Sequence, residues 1–142
     1  MRLLLYSDGG ARGNPGPAAI AYLALTEKGV VVKADSRFIG IHTNNQSEYK
    51  ALIAALEFAI ALKVEEVVCH LDSELVAKQL NGEYSVKNFE LQKLWRNAKE
   101  LKSCFKKISF VNVPRSNPYI QRADALVNKT LDEESKKISE NC

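Results

Sequence analysis

Apolar and polar positions along the first forty residues fall into three runs separated by turn-forming residues. Leu3, Leu4, Leu5 and Tyr6 lead into Asp8, positions 18–25 are almost wholly apolar, and a third run occupies 30–40. This pattern predicts strands over 2–8, 18–25 and 30–40, with Glu27, Lys28 and Gly29 turning the chain between the second and third. Such strands make an antiparallel meander. The period then changes from two to that of a helix. Thr43 and Gln46 stand at the spacing of a capping box, and Tyr49, Leu52, Ile53, Leu56 and Ile60 recur on one helical face, with Glu48 in the early turns. The β-branched run at 66–71 predicts a fourth strand ending at Asp72, which is expected to cap a helix through Ser73, Leu75, Val76 and Leu80. Gly82 stops that helix, 86–88 read as a loop, 89–101 as a helix and 108–113 as a fifth strand. Asn117 and Pro118 open a last helix with Ala123, Leu126, Val127 and Leu131 on one face and Asp124 near its start. From Ser135 the tail is polar and is expected to fray.

Helices between the first, fourth and fifth strands require parallel crossovers, so the fold class is α/β with a mixed five-stranded sheet whose first strand is central. Ligands of such sheets gather beyond strand ends where the strand order switches. Asp8 and Asp72 each close a strand there, and Glu48 and Asp124 are near enough to the starts of packed helices to join them.

The segment after Asp8 runs Gly9, Gly10, Ala11, Arg12, Gly13, Asn14, Pro15, Gly16, Pro17. Its prolines lack the N–H that a helix interior needs, and a strand follows, so a dinucleotide fingerprint is excluded. Two readings stay open from this segment alone: a tight hairpin with an acid in it, or a carboxylate ligand for a hard cation beside bare backbone. The 142 residues suffice for one domain over 1–142, ending in the polar tail from about 135. A formal charge of +3 permits a polyanionic partner without indicating one. Cys69, Cys104 and Cys142 have no metal-ligand spacing and read mainly as free thiols, with a bridge involving Cys142 left open. No signal peptide or membrane span is expected, which places the protein in the cytoplasm as a soluble chain, expected to be monomeric.

Two Mg²⁺ ions about 3.5–4 Å apart activate a water on one side of a phosphodiester and stabilise the leaving oxygen on the other, which requires several converging carboxylates. Asp8, Glu48, Asp72 and Asp124 meet that requirement; the alternative is four unrelated acids among the 17 of the chain. Four motifs in order bear on the choice. Asp8-Gly9-Gly10 with Gly13-Asn14-Pro15-Gly16-Pro17 resembles the first-strand motif of the type 1 ribonuclease H family. Thr43-Asn44-Asn45-Gln46-Ser47-Glu48 is similar to its T-x-N-N-x-x-E helix start, Leu71-Asp72-Ser73 to its fourth-strand D-S, and Ala123-Asp124-Ala125-Leu126 to its last-helix A-D-x-L.

The resemblance implies a ribonuclease H-like fold and an endonuclease that cuts the RNA strand of RNA/DNA hybrids, leaving 5′-phosphate and 3′-hydroxyl ends. It implies Asp8, Glu48, Asp72 and Asp124 as catalytic ligands of two Mg²⁺ or Mn²⁺ ions. For hybrid contacts it nominates Gly9, Asn14, Asn44 and Asn45, and, through Val86-Lys87-Asn88, the pair Thr43 and Asn88 for a DNA phosphate. Amide side chains suit a wide minor groove lined with 2′-hydroxyls, and double-stranded RNA is a further candidate substrate for the same reason. The pattern departs in two places. No histidine occurs in the 113–118 loop, where Arg115 is the nearest substitute, and the lysine-rich protrusion between helices is missing. His70 is expected to be a packed side chain, His42 an exposed turn residue, and Phe89, Leu94 and Trp95 ordinary packing. A fold relative that cuts DNA, and a non-catalytic hybrid-binding module, are the competing readings.

Overall fold

In the computed structural model, which describes residues 1–140, β1 (Arg2–Ala11), β2 (Gly16–Thr26) and β3 (Val31–His42) form the antiparallel meander. There follow α1 (Asn44–Ala61), β4 (Glu66–Leu71), α2 (Glu74–Leu80), α3 (Phe89–Lys102), β5 (Lys107–Asn112) and α4 (Pro118–Glu140). The sheet order is β3-β2-β1-β4-β5, with β1–β4 and β4–β5 parallel. The central position of β1 and the mixed sheet are as the element order predicts.

The unbroken apolar run of β2 has a direct cause, because both of its faces are covered. Ile20, Tyr22 and Ala24 join the core beneath α1, whereas Ala19 and Ala21 meet α4, and Leu23 and Leu25 pack in a cluster with Ile120 of that helix. Strands buried on both sides lose the usual alternation of apolar and polar residues. Ala51, Ala54, Ala55 and Ala59 face the packed sides of α1 and let its backbone sit close to β1 and β2, while Leu52 and Leu56 are fully buried. Each leucine buried in this way contributes about 1.5–3 kcal/mol. Replacing Ala55 by leucine would overfill that contact, at a cost of about 1–3 kcal/mol.

The β2–β3 turn falls where predicted, and Gly29 takes a φ of +83° there, a conformation that side-chain-bearing residues rarely adopt. Most element ends shift by one or two residues, β2 starting at Gly16 and β3 ending at His42, and three further differences are larger or bear on the site. First, β1 continues three residues beyond Asp8, because Gly9, Gly10 and Ala11 stay paired with β2. Its parallel ladder with β4 nevertheless stops at Tyr6 and His70, so Asp8 still projects past the β1–β4 seam. Second, α2 is capped by Ser73, whose side chain accepts from the Val76 N–H, and not by Asp72. Third, α4 remains helical to Glu140; residues 135–140 are exposed, but their backbone does not fray. No helix among the described residues is long and apolar enough to cross a membrane. Cys69 is a buried free thiol and Cys104 an exposed one. The bridge left open for Cys142 lies outside the described residues.

Candidate active site

The first acid arrives on the central strand and the second on the helix that packs against it. A Cβ at Gly9 would overlap the Ser47 carbonyl, so the bare backbone there is what lets the first turns of α1 close on β1. The same closeness lets the Gly9 N–H donate to Glu48 Oε1 at 3.1 Å. Gly9 thus has a packing role that the sequence does not suggest. The start of α1 is held by the expected capping box: Thr43 Oγ1 accepts from the Gln46 N–H at 3.1 Å, and Gln46 Oε1 accepts from the Thr43 N–H at 2.8 Å.

Asp72 follows β4 directly. With Ser73 serving as the cap, its carboxylate turns to the other acids, and one oxygen each from Asp8, Glu48 and Asp72 lies within 4.8 Å of the others. Asp124, on the second turn of α4, lines the same cleft without joining that tighter set. Its Oδ2 accepts from Asn128 Nδ2 at 3.3 Å, one turn further along the helix. Asn128 is a neighbour that motif reading missed; its i, i+4 spacing from Asp124 was the available signal.

Burial and like charge act together here. Asp8 is 7% exposed, and its carboxyl is pushed up to about 7, first by burial and then by the charges of Asp72 and Asp124. Glu48 is raised well above the ordinary glutamate value, again mainly by burial and then by Asp8 and Asp72. Its Oε2 is buried and has no hydrogen-bond partner. A buried carboxylate oxygen without a donor carries a large desolvation cost, which the group escapes by taking up a proton or by meeting a cation. The oxygen-only donor set and its spacing suit Mg²⁺ or Mn²⁺.

The remaining nominated residues divide between two clefts. Gly9, Asn44 and Arg115 line the one that holds the acids, and Arg115 Nε stands 3.6 Å from Asp72 Oδ2 with its side chain almost fully exposed. Asn14, Thr43, Asn45 and Asn88 line a second cleft together with Gln46. Several of these side chains already serve the backbone. Asn14 Oδ1 accepts from the Asn44 N–H at 3.0 Å, Asn44 Oδ1 from the Ala11 N–H at 2.9 Å, and Asn88 Oδ1 caps α3 through the Leu91 N–H. Each uses its carbonyl oxygen and keeps its amide N–H groups for another partner.

His70 is packed as expected: its ring stacks on Tyr6 at 4.2 Å and Nδ1 lies 3.0 Å from the Leu5 carbonyl. His42 differs from expectation, being the half-buried last residue of β3. Phe89 also differs. Leu94 and Trp95 pack against the core, whereas Phe89 is 65% exposed beneath the Lys93 ammonium.

Comparison with known proteins agrees with this geometry. The family described as reverse transcriptase-like matches residues 6–130. Ribonuclease HI of Halobacterium salinarum is 42% identical over 132 residues, which cover 93% of this chain and 65% of that protein. A bifunctional protein of Mycobacterium tuberculosis is 41% identical over 134 residues, covering 93% of this chain and 36% of that protein. The chain thus spans less than two thirds of either relative's length. Among solved structures, ribonuclease H1 from Halobacterium salinarum superposes with a TM-score of 0.90 at 41% identity, covering 94% of this chain and 99% of that one. LC11-RNase H1, solved in complex with an RNA/DNA hybrid, has a TM-score of 0.87 at 38% identity, covering 93% and 98%. With its four ordered motifs on β1, α1, α4 and the end of β4 and its acids gathered beside the β1–β4 seam, the chain belongs to the type 1 ribonuclease H family.

Proposed function

We propose that the protein is an endoribonuclease that hydrolyses the RNA strand of RNA/DNA hybrids, leaving 5′-phosphate and 3′-hydroxyl ends. The observation that carries this reading is the buried carboxylate set, above all the unpartnered Glu48 Oε2 beside Asp8 and Asp72. Asp8, Glu48, Asp72 and Asp124 would hold two divalent ions, Mg²⁺ or Mn²⁺, whose chemistry when bound would be activation of the attacking water and neutralisation of charge on the phosphate. The chain's own part is to fix the carboxylates before substrate arrives. Glu48 is oriented by the Gly9 N–H, and Asp8 is carried past the seam by β1. Arg115, exposed at the cleft rim, is suited to a backbone phosphate once cations neutralise Asp72. The free amides of Asn14, Asn44 and Asn45 meet the minor-groove edge and sugars of the hybrid, and Thr43 and Asn88 meet a phosphate of its DNA strand. The hybrid complex of LC11-RNase H1 supports this class of partner. We also propose a monomer working in the cytoplasm.

Cleavage of a labelled hybrid, duplex RNA, duplex DNA and single-stranded RNA with Mg²⁺ or Mn²⁺ tests the reading. Cutting of the hybrid's RNA strand, lost in Asp8→Asn while that variant still folds, is the expected result. Equal cutting by the variant overturns the metal assignment, and comparable cutting of duplex DNA overturns the substrate.

A further inference from the structure

The pole of the sheet opposite the acids carries a cluster of lysines, with Glu65, Glu66 and Glu100 as the acids nearest to it in the chain and the sheet. Asp72 follows the end of β4, whereas the end of α3 and the start of β5 carry Lys99, Lys102, Lys106 and Lys107. The six residues of β4, at about 3.3 Å each, put roughly 20 Å between the two poles. The four lysines and Phe105 line a single groove. Among the described residues none of the four lies within ion-pair distance of a carboxylate, although Lys78, Lys93 and Lys137 each have one. Lys99 and Lys102 stand three residues apart on α3, over the Trp95 and Phe110 rings respectively. Burial and the neighbouring Lys99 charge lower the ammonium pKa of Lys102. The carbonyl end of α3 accounts for cations at 99 and 102. It does not account for Lys106 and Lys107, which lie beyond the helix.

We propose that this groove is a second nucleic-acid contact, holding backbone phosphates of a duplex remote from the bond that is cut. The inference rests on the proposed hybrid substrate, itself a polyanion. Lysines bind phosphates as point charges and carry no base readout, which matches a contact that positions without selecting sequence. Phe105 is only 8% exposed, so no ring is presented for base stacking, and this favours a duplex over a single strand.

Binding is measured by fluorescence anisotropy in the Asp8→Asn background, with a labelled hybrid of about 30 base pairs over roughly 50–200 mM salt. One variant combines Lys99→Gln, Lys102→Gln, Lys106→Gln and Lys107→Gln, which keep most of each aliphatic stem. A control combines Lys28→Gln, Lys33→Gln, Lys136→Gln and Lys137→Gln, with the same change in net charge. Circular dichroism checks that both fold. The groove variant is expected to flatten the slope of log affinity against log salt by roughly 2–4, at about 0.9 or less per lost phosphate contact, and to bind at least about 100-fold more weakly near 0.1 M salt. Restored to an active background, it keeps kcat at saturating hybrid. An unchanged slope overturns the proposal, including the case in which the groove serves an acidic protein instead. An equal loss in the control overturns it too, because charge alone would then explain the effect. Hybrid binding without cleavage by the unmodified chain sinks the proposed activity and leaves this contact standing.

Discussion

Glu48 concentrates the tension of the site in one side chain, with Oε1 held by the Gly9 N–H and Oε2 buried without a donor. Glu48→Gln keeps an acceptor for Gly9 and removes a charge from beside Asp8 and Asp72. The expected outcome is a variant that gains about 1–3 kcal/mol of stability in the absence of metal, read by urea unfolding in EDTA, and loses hybrid cleavage. A loss of stability would mean that the carboxylate is satisfied without a cation. Gly9→Ala acts in the other direction, since its methyl group meets the Ser47 carbonyl. It should cost about 1–3 kcal/mol and displace Glu48, lowering kcat. That the four acids would share one cleft was legible in the sequence, because Asp8 and Asp72 lie near the C-terminal ends of adjacent parallel strands and Glu48 and Asp124 in early turns of helices packed on the sheet. The role of Gly9 was not legible, because a bare backbone does not say which neighbour will approach it. Asn128 escaped notice because an exposed asparagine in a helix is ordinary until its i−4 carboxylate is known to matter.

Among the elements, α1 links the acids to the second cleft, and its first turn is where a small change reads out cleanly. Thr43→Ala removes the acceptor for the Gln46 N–H and should lower stability by about 1 kcal/mol, with Thr43→Ser retaining most of it. If urea midpoints of the two variants coincide with the parent, the cap contributes nothing. The capping box was visible because it depends on two side chains three residues apart. At β4–α2 the reading erred by one residue, since both Asp72 and Ser73 are good caps and local sequence cannot rank them. The structure places Ser73 at the cap, and that leaves Asp72 for the cleft. The turn of α4 before residue 135 is held by distant partners, and the exposed 135–140 stretch extends it. Arg12 reaches Asp132 Oδ1 at 2.6 Å and Leu131 is buried, so the helix is tied to the first hairpin well past Asp124.

At the scale of the whole molecule, the cleft couples folding to both pH and cations. Asp8 has an unfolded pKa near 3.8 and a folded value of about 7, so between those values the folded state binds the extra proton. A raised folded pKa gives stability that is complete below the unfolded value and is lost as pH rises through the window to the folded one. Each unit is worth about 1.4 kcal/mol, so this shift corresponds to roughly 4 kcal/mol, on a carboxyl that is buried rather than screened by water. His70 works against it. Burial lowers its pKa, so its contribution is lost as pH falls below the ordinary histidine value and regained as pH rises. The pH profile of the parent therefore mixes opposing slopes, with Glu48 adding to that of Asp8; Asp8→Asn removes the Asp8 slope together with the part of the Glu48 shift that Asp8 causes, while His70 is common to both proteins. In EDTA, the stability of Asp8→Asn minus that of the parent should grow as pH rises from about 4 to 7 and level off above it. Millimolar Mg²⁺ should shrink the difference at pH 8, because a cation bound only by the folded parent stabilises it by mass action. A difference that stays flat with pH would show that Asp8 ionises in the fold as it does in water. A difference that grows but ignores Mg²⁺ would leave the carboxylates crowded for some reason other than a metal.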